Sequence, residues 1–98
     1  MFLERRTVSR KTPRDGRLEI TKSAATRLAR STPPLRIEIA GRSAPATVDA
    51  MTCTCRGADT PHEHYFVTSE LLKELAVGSE VDLSVEASGD LITVRGAS

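Results

Sequence analysis

The sequence predicts a mainly β fold: a small pseudo-twofold barrel of about seven strands with two short helices and a protruding Cys/His hairpin. Three observations carry that expectation. Several segments alternate apolar with charged residues at the strand period of two, as in Leu35-Arg36-Ile37-Glu38-Ile39 and Val81-Asp82-Leu83-Ser84-Val85. Glycine and proline turn signals punctuate the chain, among them Asp15-Gly16, Pro33-Pro34, Gly41, Gly78 and Ser88-Gly89-Asp90. The order strand, threonine cap, helix, strand, glycine turn, strand occurs twice. With 98 residues the chain can bury one core and not two, so residues 1–98 are expected to be a single domain.

Taken in order, Phe2 to Val8 is a first strand with a weak pattern. Residues 10–16 read as a basic loop, broken by Pro13 and closed by Asp15-Gly16. Leu18 and Ile20 belong to a half-buried strand, after which Thr21 or Ser23 caps a short helix to Arg30 that puts Ala24, Ala25 and Leu28 on one face. Pro33-Pro34 forbids its continuation. A strand follows from Leu35 to near Gly41, then one over about Ala46 to Cys55, a loop over Arg56 to Pro61, and a return strand from His62 to Val67. Thr68 or Ser69 caps a second helix with the stripe Leu71, Leu72 and Leu75, ended by Gly78. Val81 to Val85, a turn at 88–90 and Leu91 to Arg95 complete the sheet.

The repeat can be written residue by residue. Ile20-Thr21 matches Val67-Thr68, Ala24-Ala25 matches Leu71-Leu72, and Leu28 matches Leu75. With one extra residue at the prolines, Leu35/Ile37/Ile39 match Val81/Leu83/Val85, and Ala46-Thr47-Val48 match Ile92-Thr93-Val94. The halves are then about 16–48 and 64–95, joined by a hairpin over 49–67. Neither half can cover both faces of its own sheet, so the two are expected to interlock about a pseudo-twofold axis.

The net charge of +1 conceals an asymmetry. Residues 1–42 hold eleven of the fourteen basic side chains against four acids, a net of +7. Residues 43–98 hold three against nine, a net of −6. A basic half of this size suits a polyanion, because each neutralised phosphate releases counterions. Two lobes that attract each other within one fold would give the same split. No apolar run is long enough to cross a bilayer, and the charged start Met1 to Arg6 lacks the apolar stretch of an export signal. With Cys53 and Cys55 only one residue apart, a disulfide would staple nothing, and a reducing cytoplasm is the expected compartment.

One constellation carries chemistry. Cys53-Thr54-Cys55 and His62-Glu63-His64 bracket a six-residue loop. Pairing across that loop is expected to set Cys55 opposite His62 and Cys53 opposite His64, with all four side chains on one face. Two thiolates and two imidazoles match a closed tetrahedral zinc site. The same register sets Met51 opposite Phe66 beside the cluster and Ala50 opposite Val67 on the other face. Since Val67 matches the core position Ile20, the cluster is expected outside the barrel. A zinc with four protein ligands is structural, pinning a hairpin tip beyond the core. No nucleophile–base–orienter set, phosphate loop or carboxylate pair is visible, and the chain is not expected to be an enzyme.

Gly16-Arg17-Leu18-Glu19-Ile20-Thr21-Lys22, with Leu28 at the helix end, resembles the opening of AbrB/MazE-type DNA-binding domains, which read Gly-Arg-aliphatic-x-aliphatic-Pro-Lys. The segment Leu75 to Leu83, followed by Ser88 to Ile92, is similar to that family's second part. Thr21 stands at the family proline, Ala25 where a helix arginine is common, and Gly78-Ser79 where Gly-Asp is usual. That family supplies one short unit per chain and dimerises. Two units in one chain resemble the related double-psi and pseudobarrel (cradle-loop barrel) proteins. The resemblance covers about 60 residues and implies a swapped barrel that binds DNA.

The expected function is duplex DNA binding, in a transcription regulator or DNA-recognition module. Arg10, Arg14 and Arg17 are the candidate base readers, and Lys11 and Lys22 the candidate phosphate contacts; Arg5, Arg6 and Arg42 are further candidates to join them. Only three aromatics occur, too few for a single-strand stacking platform. The alternative is a zinc-stabilised protein-interaction module, an adaptor or an inhibitor of a larger enzyme, working through the acidic half and a Met51/Phe66 patch. Monomer and homodimer both fit.

Overall fold

Alternation of apolar and polar residues decides the strands. A computed structural model describes residues 1–30, 34–53, 62–86 and 90–96, with Cys53 and His62 described by backbone alone. The elements are β1 (Phe2–Thr7), α1 (Lys11–Asp15), β2 (Arg17–Ile20), α2 (Lys22–Leu28), β3 (Leu35–Ile39), β4 (Arg42–Cys53), β5 (His62–Thr68), a 3₁₀ turn (Glu70–Glu74), β6 (Glu80–Val85) and β7 (Leu91–Gly96). The seven strands form one barrel-shaped, nearly closed sheet in the order β1-β6-β7-β3-β4-β5-β2. Every pairing is antiparallel except β3 with β7.

Side chains from the inner face fill the barrel. Leu18, Ile20, Ile37, Ala46, Val67, Val81, Leu83, Val85, Ile92 and Val94 are buried together with Ala24, Ala25 and Leu28 of α2, the face anticipated from helical spacing. Thr21 caps α2, its hydroxyl accepting the Ala24 amide at 3.2 Å. β3 and β4 meet at a two-residue turn in which Ala40 and Gly41 both take positive φ, 53° and 80°. That geometry matches the right-handed twist of the flanking strands. β4 begins at Arg42, four residues earlier than expected, because the tight turn lets pairing start at once.

Two local expectations are corrected. The basic segment 10–16 is not a loop: Lys11–Asp15 is a helical turn. Pro13 lies in its first turn, where a helix needs no amide donor, and Gly16 closes it at φ 70° by donating its amide to the Thr12 carbonyl at 2.8 Å. The second helix is a 3₁₀ turn. Ser69 makes no side-chain cap; its amide donates to the Gly16 carbonyl at 2.9 Å, which ties the segment to β2. Leu71 and Leu72 are buried as expected, and Leu75 is half-buried in extended backbone.

The repeat is clearest where the halves meet. β2 and β5 pair about Glu19 opposite Phe66, two residues that are also equivalent in the sequence repeat. Ile20 and Val67 therefore flank that pair on opposite sides, as a local twofold requires, and both are buried. The flanking hairpins depart from it. β3–β4 pairs Ile39 with Arg42, whereas β6–β7 pairs Val85 with Ile92 across a longer connection, and β6 takes β1 as its outer neighbour. The connection at 87–89 lies outside the described residues.

β1 and β2 are the two edges of the sheet, and side chains join them. The Glu4 carboxylate accepts the Thr21 amide at 3.0 Å and the Thr21 hydroxyl, and Arg6 Nε donates to the Glu19 carbonyl at 2.9 Å. These supply to the β2 edge an acceptor and a donor that a neighbouring backbone would otherwise provide.

Candidate nucleic-acid interface and Cys/His hairpin

The outer face of β2–β5–β4 holds most of the residues singled out from the sequence. Alternation places Arg17 and Glu19 of β2, His64, Phe66 and Thr68 of β5, and Thr47, Asp49 and Met51 of β4 on that face. Phe66 is 3% exposed although it faces away from the barrel. The Lys11 ammonium and the Arg17 guanidinium lie over its ring, 5.6 and 5.8 Å from the centroid. Both distances are within cation–π range. Arg17 also donates to the Met51 sulfur at 3.2 Å. The expected Met51/Phe66 patch is thus corrected: Met51 pairs with His64, and Phe66 is roofed by two cations.

Arg10 begins α1 and is exposed. Arg14, exposed on the same turn, pairs with Asp15 at 3.0 Å. That hydrogen bond holds the Asp15 carboxyl below the usual carboxylate range. Lys22 opens α2, away from the α1 group. It lines a cavity of about 510 Å³ at the β1–β2 seam together with Arg6, Glu63, His64 and Tyr65. It also lines a groove of about 410 Å³ along α2 with Ser23, Thr26, Arg27 and Arg30. The structure therefore gathers Arg10, Lys11, Arg14 and Arg17 around α1 and β2, and sets Lys22 in a second cationic group with Arg27 and Arg30.

Part of the charge asymmetry is used internally. Arg5 pairs with Asp82 at 2.8 Å, and Arg42 pairs with Glu74, each joining the basic half to the acidic one. Among the described residues, Arg10, Lys11, Arg17, Lys22, Arg27 and Arg30 form no ion pair. The acids on the outer face are engaged as well. Asp49 accepts from the Thr47 and Thr68 hydroxyls at 3.0 and 3.1 Å, and Glu19 meets His64.

The hairpin register differs from the expected one by two residues. Cys53 is opposite His62, Met51 opposite His64, Asp49 opposite Phe66 and Ala50 opposite Tyr65. In this register Val67 pairs with Val48, and both contribute to the core side of the sheet. Along the ladder the backbone pair Cys53–His62 lies two pairs beyond Met51–His64. Ala50, Met51 and Thr52 are exposed, so this end of β4 extends past the core. Cys55 and the side chains of Cys53 and His62 lie outside the described residues. Among the described residues no group of three metal-ligating side chains converges.

Three features had no sequence signal read as functional. The Glu19 carboxylate lies 2.8 Å from His64 Nδ1. Tyr65 donates to Glu63 at 2.7 Å, which raises the phenol above its ordinary range. Arg27 and Arg30 extend the α2 cations. The first joins residues brought together by strand register, the second lies within one strand two residues apart, and the third follows helical spacing from Lys22. No helix of the described residues is long and apolar enough to cross a membrane.

No family profile, curated protein or solved structure matches the chain.

Proposed function

We propose that this protein binds duplex DNA through the α1–β2 surface together with the cations along α2, as a transcription regulator or DNA-recognition module. One observation carries the reading: among the described residues, Arg10, Lys11 and Arg17 at α1–β2 and Lys22, Arg27 and Arg30 along α2 have no carboxylate partner, while Arg5 and Arg42 are spent on internal pairs. An exposed basic face of this kind gains affinity by releasing the counterions of the phosphates it neutralises. Lys11 and Lys22 would contact phosphate. Arg10, Arg14 and Arg17 would reach base edges, Arg14 by exchanging Asp15 for the nucleic acid. Stacking on Phe66 limits the conformers open to Arg17, which lowers the entropy lost on binding. Duplex DNA titrated at low and high salt tests the reading.

A structural zinc on the β4–β5 hairpin, held by Cys53, Cys55, His62 and His64, belongs to the same proposal. The backbone pairing of Cys53 with His62, two pairs beyond His64 in the same ladder, supports it. The second reading, a protein-interaction module, is favoured by one feature. A cavity of about 490 Å³ with apolar walls, including Leu28, Pro34, Leu35, Pro45 and Val48, lies between α2 and the β3–β4 hairpin.

A further inference from the structure

We propose that Met51 is a modification site: a peroxide converts its thioether to the sulfoxide, and the new oxygen holds Arg17 back from duplex DNA. The inference rests on the DNA reading above and adds a regulation of that same surface.

Strand register builds the contact. The Arg17 backbone on β2 is opposite Thr68 of β5, and Met51 on β4 is opposite His64. Glu19, Phe66 and Asp49 form the outer-face row between them. The Arg17 side chain crosses that row, its guanidinium carbon 5.8 Å from the Phe66 centroid and its Nη1 donating to the Met51 sulfur at 3.2 Å. A thioether is a weak acceptor, so the sulfur guides Arg17 without competing with a base edge. Oxidation changes that balance.

Met51 is 47% exposed, so peroxide reaches the sulfur. A sulfur lone pair attacks one peroxide oxygen, and the S–O bond forms as the O–O bond breaks. Sulfur gives up two electrons, and the second oxygen takes the proton from the first and leaves as water. The product carries a polar oxygen on the atom that Arg17 already faces. A guanidinium–oxygen hydrogen bond then replaces the weak one to sulfur and must break before Arg17 reaches a base. Lys11 lies over the same ring, 5.6 Å from its centroid, and keeps both its charge and its phosphate role. Oxidation therefore removes a base contact and no cation, which distinguishes it from loss of a lysine.

The test measures duplex binding by the full chain before and after hydrogen peroxide. Dithiothreitol added afterwards returns reversibly oxidised thiols and leaves the sulfoxide. Oxidised wild type should bind about threefold to tenfold more weakly, the worth of one hydrogen bond, with relaxed preference at one position and an unchanged salt slope. The two methionine sulfoxide reductases should restore affinity. Peroxide should change nothing in Met51→Leu, which retains Met1, the other methionine, 64% exposed. Met51→Gln, which offers a carbonyl oxygen to Arg17, should bind like the oxidised protein. The Arg17 Nε and Nη resonances give a readout without DNA: they should shift on oxidation and recover with the reductases. Oxidised wild type that binds as before, an equal loss in Met51→Leu, or unmoved Arg17 resonances overturns the inference and leaves DNA binding standing. Reduced wild type that does not bind the duplex at low salt overturns the DNA reading and this inference with it.

Discussion

The Glu4 carboxylate crosses from β1 to Thr21, accepting its amide at 3.0 Å and its hydroxyl, where no backbone ladder joins the two strands. Thr21 at the same time caps α2 through Ala24. One acid therefore supports both the seam of the barrel and the start of a helix. Glu4→Ala should lower stability by about 1–2 kcal/mol, as expected for loss of a charge-assisted hydrogen bond at a partly buried site. Hydrogen exchange should accelerate at the Thr21 amide more than in β6 or β7. Equal acceleration throughout would mean that the seam is not a separate weak point.

Gly16 lies where three elements converge. Its φ is 70°, and a Cβ built on it would stand 2.8 Å from the Ser69 carbonyl oxygen. That oxygen is backbone and cannot swing aside. Gly16→Ala should therefore cost about 1–3 kcal/mol, from the left-handed conformation and from displacement of the 3₁₀ turn. Chemical denaturation measures it directly. A cost near zero would show that α1 and the 3₁₀ turn separate freely.

Tyr65 is the one tyrosine in the chain, so phenolate absorbance reports it alone. Its hydrogen bond to Glu63, together with burial and the Glu63 charge, raises its pKa. A raised folded-state pKa contributes stability that is fully present below the unfolded value, about 10, and is lost as pH rises through the folded one. The titration midpoint should accordingly lie above that of free tyrosine. Glu63→Ala should bring it back down. No change on substitution would remove Glu63 as the cause.

The strands were legible because each pays its hydrophobic residues to one face, and Leu35 to Ile39 or Val81 to Val85 can be read that way by eye. The equivalence of Ile20 and Val67 marked Val67 as a core position, and both residues are buried. Sequence could not fix the hairpin register. A two-residue slip keeps every side chain on its face, and the register observed pairs Val48 with Val67. The Glu19–His64 contact depends on a different pairing, β2 with β5, for which the sequence carried no register signal. The α1 turn was missed because Pro13 was read as a breaker, whereas first-turn proline costs a helix no hydrogen bond. The side-chain seam left no pattern, because Glu4, Arg6 and Thr21 are ordinary residues until the barrel nearly closes.

The central claim is that the α1–β2 surface and the cations along α2 bind duplex DNA, and the salt dependence of that binding tests it most directly. The logarithm of the association constant should fall linearly with the logarithm of salt concentration, at about 0.9 per phosphate neutralised. Lys11→Ala or Lys22→Ala should weaken binding to every sequence alike and flatten the slope by about one. Arg17→Ala should cost about 1–3 kcal/mol and relax preference at one position. Duplex DNA that fails to bind at low salt, or binding that ignores both salt and these substitutions, would contradict the account and favour the protein-interaction reading.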